Sequence, residues 1–171
     1  MRDIQKSDIV GARIVDVYHT EELLDGWLDC TEIYFTVDRG FIFTLPWAGE
    51  RWVSVDLPEQ ACHLWYPRKS YELDLRGWFP RLRFTRQPSI IDQIKQRRIS
   101  GVYCGAFDEE IGCHYPPEGT LVFEDGSQAF NNMVAPQGVG GTGLRFFLPE
   151  SRHCTPLEQM ADYFTIPLRT K

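Results

Sequence analysis

What most limits the fold of this chain is a pair of apolar runs hinged on a tight turn. Ile33-Tyr34-Phe35-Thr36-Val37 and Phe41-Ile42-Phe43-Thr44-Leu45 flank Asp38-Arg39-Gly40. β-branched and aromatic residues on either side of such a turn read as a β-hairpin. Apolar residues fall on both faces, as expected of a sheet covered on one side and partly covered on the other. Ile9 to Val17 reads as a preceding strand, and Trp52 to Leu57 as a third strand ended by Pro58.

The same grammar returns later. Ile99-Ser100-Gly101-Val102 echoes Ile9-Val10-Gly11-Ala12, and Leu121-Val122-Phe123, Asp125-Gly126 and Gln128-Ala129-Phe130 echo the first hairpin. The echoes suggest a single compact domain, 1–171, with an internal duplication of 9–58 and 99–149 joined by a connector, 59–98. Two β-meanders sharing ordinary turn chemistry are the plainer alternative. Two short amphipathic helices are expected, at about 89–100 and 155–164. Ser89-Ile90-Ile91-Asp92 and Thr155-Pro156-Leu157-Glu158 have capping-box spacing, and Ile90, Ile91, Ile94 and Ile99, then Leu157, Met160, Ala161 and Phe164, follow at helical intervals. The fold class is therefore α+β, dominated by antiparallel sheet.

At 171 residues, 43% hydrophobic and 25% charged, the chain can bury a core without staples and is not a disordered, collagenous or coiled-coil sequence. No apolar run approaches a membrane span, and residues 1–8 lack the apolar stretch of a secretory signal, so a cytoplasmic protein with no membrane partner is expected. Five cysteines, odd in number and sparse, are expected to be reduced thiols.

Net charge of −6 argues against a protein whose whole surface grips nucleic acid. The charge is unevenly spread. Residues 68–98 hold nine of the eighteen basic side chains against three of the twenty-four acids, a local +6 that leaves −12 for the remainder. Arg76, Arg81, Arg83 and Arg86 are interleaved with aromatics including Trp78, as in proteins that stack bases beside phosphates, so a nucleic-acid adaptor using 66–86 is one reading. An edge ribbon whose arginines meet the acids of the flanking halves is the plainer one. Two acidic groups stand apart, Glu21, Glu22, Asp25, Asp29 and Glu32, and Asp108-Glu109-Glu110.

No catalytic signature emerges. Gly138-Val139-Gly140-Gly141-Thr142-Gly143 matches a dinucleotide pattern, but a strand-like Leu144-Arg145-Phe146-Phe147-Leu148 follows where a helix is needed. Cys62-His63, Cys113-His114 and His153-Cys154 contain zinc-type donors without any C-x-x-C. A small zinc- or Cys/His-dependent enzyme would draw on Cys113, His114, His153 and Cys154, with Cys104 or Cys154 as nucleophile. The expectation is that no metal or cofactor is used. Trp47 and Trp52 flank the tip Ala48-Gly49-Glu50-Arg51, and either would anchor a partner if exposed. Acidity, aromatic loops and the lack of a catalytic motif point to a non-catalytic protein-binding inhibitor, such as a bacterial toxin-neutralising immunity protein. Its expected contacts are Trp47, Trp52, Trp78, Arg76, Arg81, Arg83 and Arg86.

Overall fold

A computed structural model describes residues 1–24, 27–63, 69–74, 81–86, 90–95, 97–132 and 143–169. In chain order the elements are α1 (Lys6–Ile9), β1 (Ile14–Leu24), β2 (Trp27–Val37), β3 (Ile42–Phe43), β4 (Cys62–His63), β5 (Lys69–Asp74), β6 (Arg81–Arg86) and α2 (Ile90–Ile94). Then come β7 (Ile99–Gly105), β8 (Phe107–Asp108), β9 (Cys113–His114), β10 (Thr120–Phe123), β11 (Gln128–Asn132), β12 (Gly143–Phe147) and β13 (Met160–Asp162). The protein is α+β and mostly antiparallel sheet.

Two sheets carry the fold, ordered β3-β2-β1-β4 and β12-β11-β10-β7-β13. Each is a meander whose first strand is flanked on its free edge by a later, returning strand. Both expected hairpins form, and Gly126 at φ 81° supplies the left-handed turn residue between β10 and β11. Local detail differs between the halves. Ile9 closes the turn of α1, where Asp8 accepts a hydrogen bond from the Gln5 N–H, whereas Ile99 opens β7. The expected third strand at 52–57 reduces to isolated bridges, Val53 to Asp3 and Val55 to Ile42.

Both expected helices are shorter than their periodicity suggests. The first stops at Ile94, because Ile99 is drawn into pairing with the lead-in to β1: its N–H donates to Ala12 O at 2.9 Å and its carbonyl accepts from Gly11 N at 2.7 Å. The second is not an α-helix. Gln128, buried, takes both backbone groups of Thr155 with its amide, at 2.6 and 3.0 Å. A 3-10 turn at Leu157–Gln159 follows, then β13 covers the open edge of β7, and a second 3-10 turn spans Tyr163–Thr165. Leu157, the first apolar residue of the supposed helical face, is exposed.

One hydrophobic core runs through both sheets. Phe35, Phe43, Ile9, Ile14, Val17, Ile94, Ile99, Val102, Leu121 and Phe123 are essentially inaccessible and belong to the same cluster. The sheets meet along two seams. At one, Arg13 pairs with Arg98. At the other, Trp47 pairs with Glu118, while Ala48 N donates to Pro117 O at 2.8 Å and Gly119 N to Pro46 O at 2.7 Å. Gly105 serves this second seam: a Cβ there would lie 1.9 Å from Tyr115 O, so only glycine lets β7 meet the segment that leads to Glu118.

Candidate functional site

The second seam encloses a cavity of about 370 Å³. Its walls come from β2 (Glu32, Ile33), from the Thr44–Val55 segment with both Trp47 and Trp52, from Glu118 just ahead of β10, and from Asn131 on β11. That volume lies at the small end of ligand pockets, suited to a group of side-chain size.

The two tryptophans have opposite fates. Trp52 is 6% exposed: its indole N–H donates to Thr44 O at 2.8 Å, and its ring meets Phe43 and Tyr163 edge-on at 5.2 and 5.5 Å. It is a core residue, folded back on the sheet, and lacks the exposure on which its expected role as an anchor depends. Trp47 is 39% exposed at the mouth.

The electrostatics of the cavity rest on unpaired carboxyls. Burial pushes the Glu118 carboxyl up to about 7, only partly opposed by a hydrogen bond from the Asn131 side chain. Asn131 Oδ1 is itself buried without a hydrogen-bond partner. Glu32 accepts from the Tyr34 hydroxyl at 2.7 Å, and burial followed by the Glu32 charge raises that phenol to about 12. Among the described residues Arg51 is the one basic side chain in the lining, and Asp3 holds it in a two-bond fork at 2.6 and 2.7 Å. Among the described residues, no basic side chain pairs with Glu32, Glu50 or Glu118.

A second feature lies on the same seam. The β8–β9 hairpin exposes Phe107 and Ile111 (57% and 58%), and Tyr115 just beyond it is 61% exposed. Of its three acids, Asp108 holds the turn by accepting from Glu110 N and Ile111 N at 2.9 and 3.1 Å, so Glu109 and Glu110 are the exposed pair. The chain from Tyr115 to Glu118 then runs beside Trp47 and Ala48.

Among the described residues the Cys/His neighbours do not converge. His114 Nδ1 bonds Gly105 O at 2.8 Å, His153 stacks on Phe147 at 5.1 Å, and Cys154 donates to Leu148 O at 3.0 Å. Among the described residues no group of three His, Cys, Asp or Glu could hold a metal. Cys113 and His114 lie on β9, far in the chain from His153 and Cys154 in the turn before Thr155. Cys104 is fully buried, and desolvation, then Glu118, raises its thiol to about 12; burial raises Cys154 as well. Both shifts disfavour the thiolate that a nucleophile requires.

The basic ribbon is placed by its backbone. Register sets Arg83 opposite Glu72 and Arg81 opposite Asp74, with Arg86 opposite Lys69. Arg76, Trp78 and the Gly138–Thr142 stretch lie outside the described residues. Compared with protein-family models, curated proteins and solved structures, the chain matches none. No described helix is long and apolar enough to cross a membrane. Glu118 and Asn131 were not singled out by sequence reasoning, because one glutamate after Pro116-Pro117 and one asparagine in a strand carry no local signature.

Proposed function

We propose that the protein acts by binding another protein, as a non-catalytic cytosolic inhibitor of a basic target in the general manner of a bacterial toxin-neutralising immunity protein. The observation that carries this reading is the β8–β9 hairpin, where Phe107, Ile111 and Tyr115 are exposed together beside Glu109 and Glu110. Clustered exposed apolar side chains mark interaction surfaces, and aromatic anchors supply affinity. The carboxylates select a basic partner and speed its approach. Trp47 extends the same surface across the seam.

The test compares the parent protein with an Ile111→Ser/Glu109→Lys/Glu110→Lys variant as baits in native lysate of the source cell. The substituted side chains make no core contact, so stability should change by no more than about 0.5 kcal/mol per site. The parent should retain a stoichiometric protein of net positive charge, and the variant should lose it. A partner held equally by the variant, an acidic partner, or no partner under several conditions contradicts the reading.

A further inference from the structure

The cavity at the Trp47–Glu118 seam combines three features. Among the described residues its carboxyl groups outnumber its cations, and the one guanidinium, Arg51, is spent on Asp3. Its Glu118 carboxyl is half-buried, hydrogen-bonded among the described residues by the Asn131 amide, and that amide keeps a buried oxygen with no hydrogen-bond partner. Its mouth carries a half-open indole face. A carboxylate buried without a counter-charge is costly, and a cation with N–H donors removes the cost by pairing with it. An indole face also attracts such cations.

We propose that this cavity receives an alkyl cation, the guanidinium or ammonium head of an arginine or lysine side chain. The head lies between the Glu118 carboxylate and the Glu32 and Glu50 carboxylates at the mouth, and its stem lies against Trp47. The inference rests on the protein-binding reading in that a basic target would supply the side chain, but the pocket is tested without any target.

Occupancy is coupled to protonation. The groups around Glu118 are Asn131, its hydrogen-bond donor; the Cys104 thiol, which is held neutral; Glu32, Glu50 and Arg51 in the same lining; and the Tyr163 phenol, which burial, Cys104 and Glu50 raise to about 12. The Cys104 thiol and the Tyr163 phenol both keep their protons as Glu118 loses its own near neutrality. A cation therefore binds more tightly as pH rises and the Glu118 proton leaves.

The experiment is a titration of the whole protein, followed by the Trp47 indole and Asn131 amide NMR signals, with Nα-acetyl-arginine and Nα-acetyl-lysine methylamides. The neutral citrulline and norleucine counterparts serve as controls, and agmatine, a free alkylguanidinium, is the last probe. The basic amides should give saturable shifts that the neutral ones do not, and affinity should be greater at pH 8 than at pH 6. Glu118→Gln should weaken binding at pH 8 by about tenfold or more, the loss of one charge-assisted contact, and flatten the pH dependence. A Glu32→Gln/Glu50→Gln variant, altered only at exposed carboxylates, should weaken binding while leaving the pH dependence in place. Tighter binding of the amides than of agmatine marks a protein side chain as the source, and the reverse marks a free small cation; both support the site. Equal binding of neutral and basic amides, no saturable shift at millimolar probe, or binding unchanged by both variants overturns it. Failure here with the basic partner still captured through the hairpin removes the pocket alone. Saturable binding here with no partner captured removes the inhibitor reading alone.

Discussion

The two seams between the sheets hold cavities of similar size and opposite electrostatic condition. At the Arg13–Arg98 seam a cavity of about 410 Å³ is lined by Arg13, Arg97, Arg98, Glu124 and Asp125. Arg97 meets Asp125 at 2.7 Å, donates to Gln93 O and lies 4.8 Å over the Phe146 ring, while Arg98 donates to Gly11 O at 3.0 Å. Nearby, Lys95 reaches Asp16 on β1 at 3.1 Å. Lys95, Arg97 and Arg98 come from the most basic stretch of the chain, and each is engaged: Arg97 ties to Asp125 and Phe146 beside the second sheet, while Lys95 and Arg98 reach Asp16 and Gly11 O at the start of the first. At the Trp47–Glu118 seam Arg51 is taken by Asp3, and among the described residues the carboxyls of Glu32, Glu50 and Glu118 have no cationic partner. Charge density marked the first seam in the sequence, but pairing decides availability, and it favours the second.

The largest contrast is expected between the two tryptophans. Trp52→Ala should cost about 3 to 5 kcal/mol, because it empties a core site shared with Phe43 and Tyr163. Trp47→Ala should cost less than about 1 kcal/mol. Denaturant midpoints check both, and equal losses would dissolve the distinction between floor and mouth.

At the arginine seam, Arg97→Ala should destabilise by about 1 to 2 kcal/mol, since an ion pair, a hydrogen bond and a ring contact disappear together. The same denaturation series would show no change if that seam were a free anion site instead of a structural tie.

A smaller effect is expected at Glu118, and its sign carries the information. The folded carboxyl titrates higher than it would in the unfolded chain, so its burial costs nothing at low pH, where both states are protonated. The cost grows as pH rises from about 4.5 to 7 and is then constant. Glu118→Gln should match the parent at pH 4.5 and exceed its stability at pH 8. A variant weaker than the parent at pH 8 would mean that Glu118 already has a cationic partner.

How much of this was legible in the sequence follows from the range of the interactions. The hairpin at Asp125-Gly126 is written in neighbouring residues, and so are the runs that become β2, β10 and β12. The 155–164 segment carries a genuine helical period, but Gln128 and the open edge of β7 lie far away in sequence and override it. Trp47 and Trp52, five residues apart, look alike as text. What separates them is Thr44 O and the ring of Tyr163, more than a hundred residues on. Glu118 is recognisable only once Gly105 has let the Tyr115 segment approach β7 and bring it against Trp47.

The most direct test of the account is the titration of the Glu118 side-chain carboxyl itself, followed by carbon-13 NMR of the intact protein with Glu118→Gln to assign the signal. A midpoint near 7 is predicted for a half-buried carboxyl with no counter-charge among the described residues. A midpoint at or below the ordinary value of 4.5 would show that Glu118 is solvated or already paired, and would contradict the unpaired acidic seam on which the account rests.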